Sequence, residues 1–171
     1  MHIVKQLGFS LYAPNKIARF RFQKIGKTIF YLFILALLFS IPSFLHLIKG
    51  ITSQVQSFKE TLGITDKTNN GLPYLFSLLI IMYYLGSSTF LYILTTIFAS
   101  LSNMFQFSKQ LNLSYKHRFT IFTYSMTLPT LLFLLIGLLN ITIPYSTLLF
   151  LLISIVYYYL SIKSISKSKK V

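Results

Sequence analysis

The 171-residue chain contains no cysteine and no tryptophan, and its only acidic residues are Glu60 and Asp66, against sixteen Lys and Arg. Without cysteine there can be no disulfide and no thiolate metal site. A soluble domain carries about a quarter of its residues as charges, with both signs mixed to solvate its surface. Here 11% are charged and 54% are apolar. A net charge of +14 taken alone points to nucleic acid, but the apolar content excludes a basic soluble surface, so no nucleic-acid partner is expected. The composition is that of a small integral membrane protein.

What is present is long uncharged sequence. Residues 28–48, 68–108 and 119–162 contain no Asp, Glu, Lys or Arg, and a membrane-spanning helix needs about 20 mainly apolar residues. Four spans fit: 28–48, 73–100, 119–139 and 145–162. They are joined by a loop at 49–72, a second loop at 101–118 and a short turn at 140–144, and flanked by an amino-terminal segment at 1–27 and a basic tail at 163–171. The second span exceeds the minimum and is expected to tilt or project. The 27 residues before the first span are too long for the basic region of a signal peptide, and no small-x-small cleavage pattern follows Ile41-Pro42-Ser43, so the first span is expected to stay as an anchor.

Lys and Arg mark the cytoplasmic side. With a cytoplasmic amino terminus, Lys5, Lys16, Arg19, Arg21, Lys24 and Lys27 lie inside with Lys109, Lys116, Arg118, Lys163, Lys167, Lys169 and Lys170, and only Lys49, Lys59 and Lys67 lie outside. Both termini are therefore expected in the cytoplasm. A re-entrant hairpin at Gly86-Ser87-Ser88 would put ten basic residues outside and six inside. The charge rule rejects it, and Gly86 is expected instead to be a close-packing position.

Ile3, Leu7 and Leu11 recur at helical spacing before Ala13-Pro14-Asn15 breaks the pattern. A second short helix is expected from Asn15, an acceptable cap. In it Ile17, Phe20 and Ile25 would enter the membrane boundary while Lys16, Arg19, Arg21, Lys24 and Lys27 meet anionic headgroups of the inner leaflet. At about 1 kcal/mol per basic residue the segment would dock firmly; the alternative is that these charges only set topology. Ile25-Gly26-Lys27-Thr28 resembles the end of a phosphate-binding loop, but Arg21 occupies the place of its first glycine and no strand is expected before it, so nucleotide binding is discarded. In the outer loop Ile51, Val55, Phe58 and Leu62 suggest an amphipathic turn or two, followed by a flexible turn over 66–71.

Within the spans the only ionisable group besides tyrosine is His46, expected to be interfacial. No catalytic, metal or cofactor residues can be assembled, and no enzyme is expected. Hydroxyls remain. At about 100° per residue Ser88, Tyr92, Thr95 and Ala99 share a face of the second span, and Thr120, Thr123, Tyr124, Thr127 and Thr130 share a side of the third. The two faces could meet as a groove for a lipid headgroup, a polyprenyl carrier or a partner helix, or as ordinary interhelical packing. Pro129 cannot donate to the carbonyl of Ser125 and is expected to kink the third span. Tyr157-Tyr158-Tyr159 is expected in an interfacial belt.

Ser10-Leu11-Tyr12-Ala13-Pro14-Asn15-Lys16-Ile17-Ala18-Arg19-Phe20-Arg21, with Gly26-Lys27-Thr28-Ile29 and Tyr124-Ser125-Met126-Thr127-Leu128-Pro129-Thr130, resembles a bacterial membrane-protein family, a domain of unknown function grouped with Yip-type membrane domains. Some of its members are called maltodextrin-utilisation proteins. The resemblance implies an all-α, Yip-like four-helix bundle in the bacterial cytoplasmic membrane, and departs in the middle, where relatives usually carry a larger extracytoplasmic segment. The expected role is a non-enzymatic membrane-organising or accessory protein that binds lipids, another membrane protein or itself. The rivals are a small oligomeric transporter or lipid-translocating subunit and a carbohydrate-uptake accessory protein.

Overall fold

The computed structural model describes residues 3–12, 14–53, 72–102, 113–141 and 143–168. Among these, every regular element is a helix: α1 (Ile3–Tyr12), α2 (Pro14–Phe20), α3 (Ile25–Ser53), α4 (Leu72–Leu101), α5 (Tyr115–Ser125), α6 (Thr127–Leu138) and α7 (Ser146–Ser168). Four helical stretches, 25–50, 76–101, 115–138 and 146–165, are long and apolar enough to cross a membrane. At 1.5 Å per residue the 30 residues of α4 extend about 45 Å, beyond a hydrocarbon core of about 30 Å. α4 is continuous through Gly86-Ser87-Ser88, so this stretch is one through-going helix.

The helices outrun the uncharged segments. α3 starts at Ile25, α5 starts at Tyr115 and so takes in Lys116 and Arg118, and α7 runs to Ser168. Lys116 is exposed and carries its charge toward water, so it does not end the helix; Arg118 is buried. The third span is interrupted at Met126, between α5 and α6, three residues before Pro129. The Thr127 hydroxyl donates to the Tyr124 carbonyl at 2.7 Å and the Thr130 hydroxyl to the Met126 carbonyl at 2.7 Å. These bonds flank the Ser125 carbonyl that Pro129 deprives of its usual amide partner.

α3 packs on α4, α5 and α6, α4 also packs on α5, and α7 packs on α5 and α6. Lys49 Nζ donates to Asn140 Oδ1 at 3.5 Å, so the end of α3 and the α6–α7 turn share one end of the bundle, the turn end. There Asn140 and Tyr145 take φ of 54° and 57°, and an αL residue such as Asn is a common way to stop a helix. Close approach of α3 and α6 rests on Gly137. A Cβ there would stand 2.5 Å from Pro42 Cβ and 2.8 Å from Pro42 Cγ, whereas a Cβ at Gly86 would meet nothing within 4 Å. The expected packing role of Gly86 is thus corrected to Gly137: a glycine permits approach, and only the neighbour decides whether it happens.

The amino-terminal segment also differs from expectation. α1 and α2 pack on each other, α2 lies against α5 and α7, and α1 reaches α5 and α6. Ile17 and Phe20 are buried in the protein core, not turned to lipid. Tyr157 donates from its hydroxyl to the Leu11 carbonyl at 2.7 Å. Tyr157 lies eleven residues into α7, about 17 Å along it, so the hairpin reaches roughly the middle of the bundle. Of the tyrosines expected in an interfacial belt, Tyr158 is turned inward instead, buried against Phe122 with ring centroids 5.4 Å apart, while Tyr157 is half-buried and Tyr159 is exposed. The expected turns over Val55, Phe58 and Leu62 and over 66–71 lie outside the described residues, as do 103–112 of the second loop and residues 169–171 of the tail.

Candidate functional site

The polar residues of the third span gather around Tyr124. Its ring is fully buried, 4.3 Å from the Tyr31 ring of α3 and 4.8 Å from the Phe20 ring of α2. Its hydroxyl lies 2.9 Å from Gln6 Oε1 and 2.9 Å from Gln23 Oε1. A phenol has one proton, so it donates to one amide carbonyl, and the other amide, turned over, presents its NH2 to the phenol oxygen. One side chain of α5 thereby holds α1, the α2–α3 link and α3 together.

Proton counting orders the neighbouring bonds as well. Thr127 donates to the Tyr124 carbonyl, so in the 2.7 Å contact between Tyr31 and Thr127 the phenol is the donor. Thr120 donates to the Lys116 carbonyl at 2.9 Å, which makes Thr28 the donor in its 3.4 Å contact with Thr120. Ser10 is buried and donates to the Gln6 carbonyl at 2.8 Å. Gln6, Gln23, Thr28 and Tyr31 are therefore site residues that the hydroxyl pattern of the second and third spans does not reveal. A signal existed: Gln6 and Ser10 are four apart, and Thr28 and Tyr31 three apart, each pair on one helix face.

Each expected groove residue can be placed. Ser88 is buried and donates to the Leu85 carbonyl at 2.9 Å. Thr95 is buried and donates to the Leu91 carbonyl at 2.7 Å, with Met126 Sδ at 3.4 Å. Thr123 is buried and donates to the Phe119 carbonyl at 2.9 Å. Tyr92 is exposed and sets its ring edge-on to Phe119 at 6.0 Å. Pro129 is buried just past the interruption. α4 and α5 do pack on each other, but Ser88, Thr95 and Thr123 turn their hydroxyls back onto their own backbones, and Tyr124 and Thr127 face α1, α2 and α3 instead. The bonding side of the third span is the side toward the amino-terminal hairpin, because amides and a phenol are available there and α4 offers mainly apolar side chains.

The basic residues surround this end of the bundle. Lys16 and Arg19 are exposed on α2, with Lys16 Nζ 3.9 Å above the Phe9 ring; Arg21 is half-buried, and Lys24 and Lys27 are exposed. The run is divided between α2, a turn closed by Gln23 N–H donating to the Phe20 carbonyl at 2.9 Å, and the start of α3. Phe22 and Ile25, 70% and 41% exposed, stand among these cations. Arg118 differs: assigned to a loop by the uncharged-run boundary, it is only 8% exposed. His46 is exposed on α3. Among the described residues no three His, Cys, Asp or Glu come together as a metal site. The cluster's hydroxyls and amides give and take hydrogen bonds, and the work visible in the geometry is to hold five helices together.

No curated protein matches the chain, and no solved structure does. A family model described as a protein of unknown function (DUF1189) matches residues 4–66 and 64–162, two stretches that meet between α3 and α4. These take in the amino-terminal hairpin, all four long apolar helices and the Tyr124 cluster, and the chain accordingly belongs to the DUF1189 family.

Proposed function

We propose that the protein is a Yip-like, four-span protein of the bacterial cytoplasmic membrane, with both termini in the cytoplasm, that acts without enzymatic turnover as a membrane-organising or accessory protein binding anionic inner-leaflet lipids. The observation that carries this reading is the edge formed at the amino-terminal end of the bundle. Exposed Phe22 and Ile25 stand beside Arg21, Lys24 and Lys27, with Lys16 and Arg19 exposed on α2. Apolar side chains that enter the acyl boundary next to cations that meet phosphates are the arrangement of an interfacial anchor. The thirteen-to-three division of basic residues supports the orientation.

Two measurements test it. Single cysteines replacing Thr65, Ser108 and Ser168 in this cysteine-free chain should label from outside only at position 65. Protein carrying Arg19→Gln, Lys24→Gln and Lys27→Gln together should retain less anionic lipid than the unaltered chain when native mass spectra are recorded from lipid discs; equal retention sinks the lipid-binding role.

A second reading is favoured by α4, which among the described helices packs on α3 and α5 and leaves Leu78, Ile81, Met82, Leu85, Ile93 and Ile97 exposed. A second copy or a permease partner seated there would make an oligomeric transporter or an uptake accessory, the latter in line with the maltodextrin name some relatives carry. Substrate flux by the purified protein alone favours the transporter, and a stoichiometric permease in the discs favours the accessory role.

A further inference from the structure

Arg118 is more than nine-tenths buried, and its Nε and Nη1, which carry three of the five guanidinium N–H donors, have no hydrogen-bond partner. The Tyr158 hydroxyl is buried and without a partner as well. The Tyr158 ring packs on Phe122 at 5.4 Å, one turn beyond Arg118 on the same face of α5, and Phe122 stacks on Phe98 of α4 at 4.9 Å, so both groups lie where the end of α4, the start of α5 and the later turns of α7 meet. Ser102 is beside Tyr158; its hydroxyl donates to the Ala99 carbonyl at 2.9 Å, so towards the phenol it can act only as an acceptor. α5 also begins without a side-chain cap, Ser114 having extended backbone and making no cap bond, which leaves the first peptide N–H groups open to solvent or to a ligand.

A buried guanidinium without a counter-charge is strongly unfavourable. The sequence narrows where one can come from. Glu60 and Asp66 are the only acidic residues, and both precede α4, whose length of about 45 Å separates its first turn from Ser102 and Arg118. α4, α5, α6 and α7 contribute no carboxylate.

We infer that Arg118 and Tyr158 form the core of an oxyanion site that takes a phosphate group, with the guanidinium supplying the charge and the phenol one further donor. Guanidinium is suited to phosphate because its fixed fork matches two phosphate oxygens. The site lies at the same end of the bundle as the exposed basic edge. A membrane phospholipid is its expected source of phosphate, a choice that rests on the lipid-binding reading above; the oxyanion chemistry itself does not.

The test uses the full chain, delipidated in neutral detergent and offered phosphatidylglycerol, phosphatidic acid, diacylglycerol as the phosphate-free control, and inorganic phosphate. Binding is followed by thermal shift and by native mass spectrometry at low and high salt. The phospholipids should bind and persist at high salt, because a buried pair is screened far less than an exposed one, and diacylglycerol should not. Arg118→Gln should weaken this binding about thirty-fold or more, Arg118→Lys less, and Tyr158→Phe several-fold. Arg19→Gln with Lys24→Gln should remove only the salt-sensitive component. Stabilisation by inorganic phosphate alone, lost in Arg118→Gln, keeps the site and removes the lipid reading. Wild-type affinity in Arg118→Gln overturns the site. If that variant does not fold, unchanged affinity in both Arg118→Lys and Tyr158→Phe overturns it.

Discussion

The two halves of the third span, α5 and α6, are nearly equal in length and opposite in surroundings. From Arg118 through Ser125 every residue of α5 is buried. In α6 only Thr127, Pro129 and Thr130 are buried, and Leu132, Leu135 and Leu138 are exposed. The polar sequence Thr120, Thr123, Tyr124 and Ser125 lies where protein encloses it on all sides, and the leucine-rich sequence lies where lipid can take the place of protein. A polar helix at membrane depth needs partners, since hydrocarbon offers none. The difference between the halves is made by their neighbours: α5 is packed by both helices of the amino-terminal hairpin and by α3, α4 and α7, whereas α6 packs on α1, α3 and α7.

That contrast can be broken in graded steps. Removing residues 2–20 should have the largest effect: with the buried face of α5 and the Tyr157 hydroxyl uncovered, no monodisperse monomer is expected on size exclusion in detergent. Tyr124→Ala removes two ring contacts and the bond to Gln6 and Gln23, and should cost about 3–5 kcal/mol in reversible unfolding in mixed micelles. Tyr124→Phe, which keeps the rings, should cost about 1 kcal/mol. Gly137→Ala should destabilise by about 1–3 kcal/mol by overpacking against Pro42, while Gly86→Ala, in open space, should be neutral or slightly stabilising by the same assay. Leu135→Ala on the exposed side of α6 should change stability least, by about 0.5 kcal/mol or less.

Four spans were legible in the sequence because charge is excluded from each of them, and the interruption of the third was legible in Pro129 because proline's missing N–H acts wherever it stands. The hairpin was legible as two helices and not in its docking. Ile17 and Phe20 show the same apolar spacing whether they face lipid or, as here, the protein core, where Phe20 meets the Tyr124 ring, so pattern alone cannot tell a surface anchor from a packed element. The hydroxyls met the same limit. Thr123 and Thr127 sit on one side of a helix and both donate to their own backbone, yet only Thr127 also accepts from Tyr31, a difference made by the neighbouring helix. Arg118 was hidden by its place at the edge of an uncharged run, where a loop residue and a first-turn helical residue read alike.

The most direct test of the hairpin's place asks what Ile17 touches in a native bilayer. A small aliphatic diazirine residue at position 17, activated in membranes and mapped by peptide mass spectrometry, should form intrachain adducts with α5 and α7 peptides, while the same residue at position 22 should form lipid adducts. Lipid adducts at position 17 as abundant as those at position 22 would contradict the account and return the segment to the membrane surface.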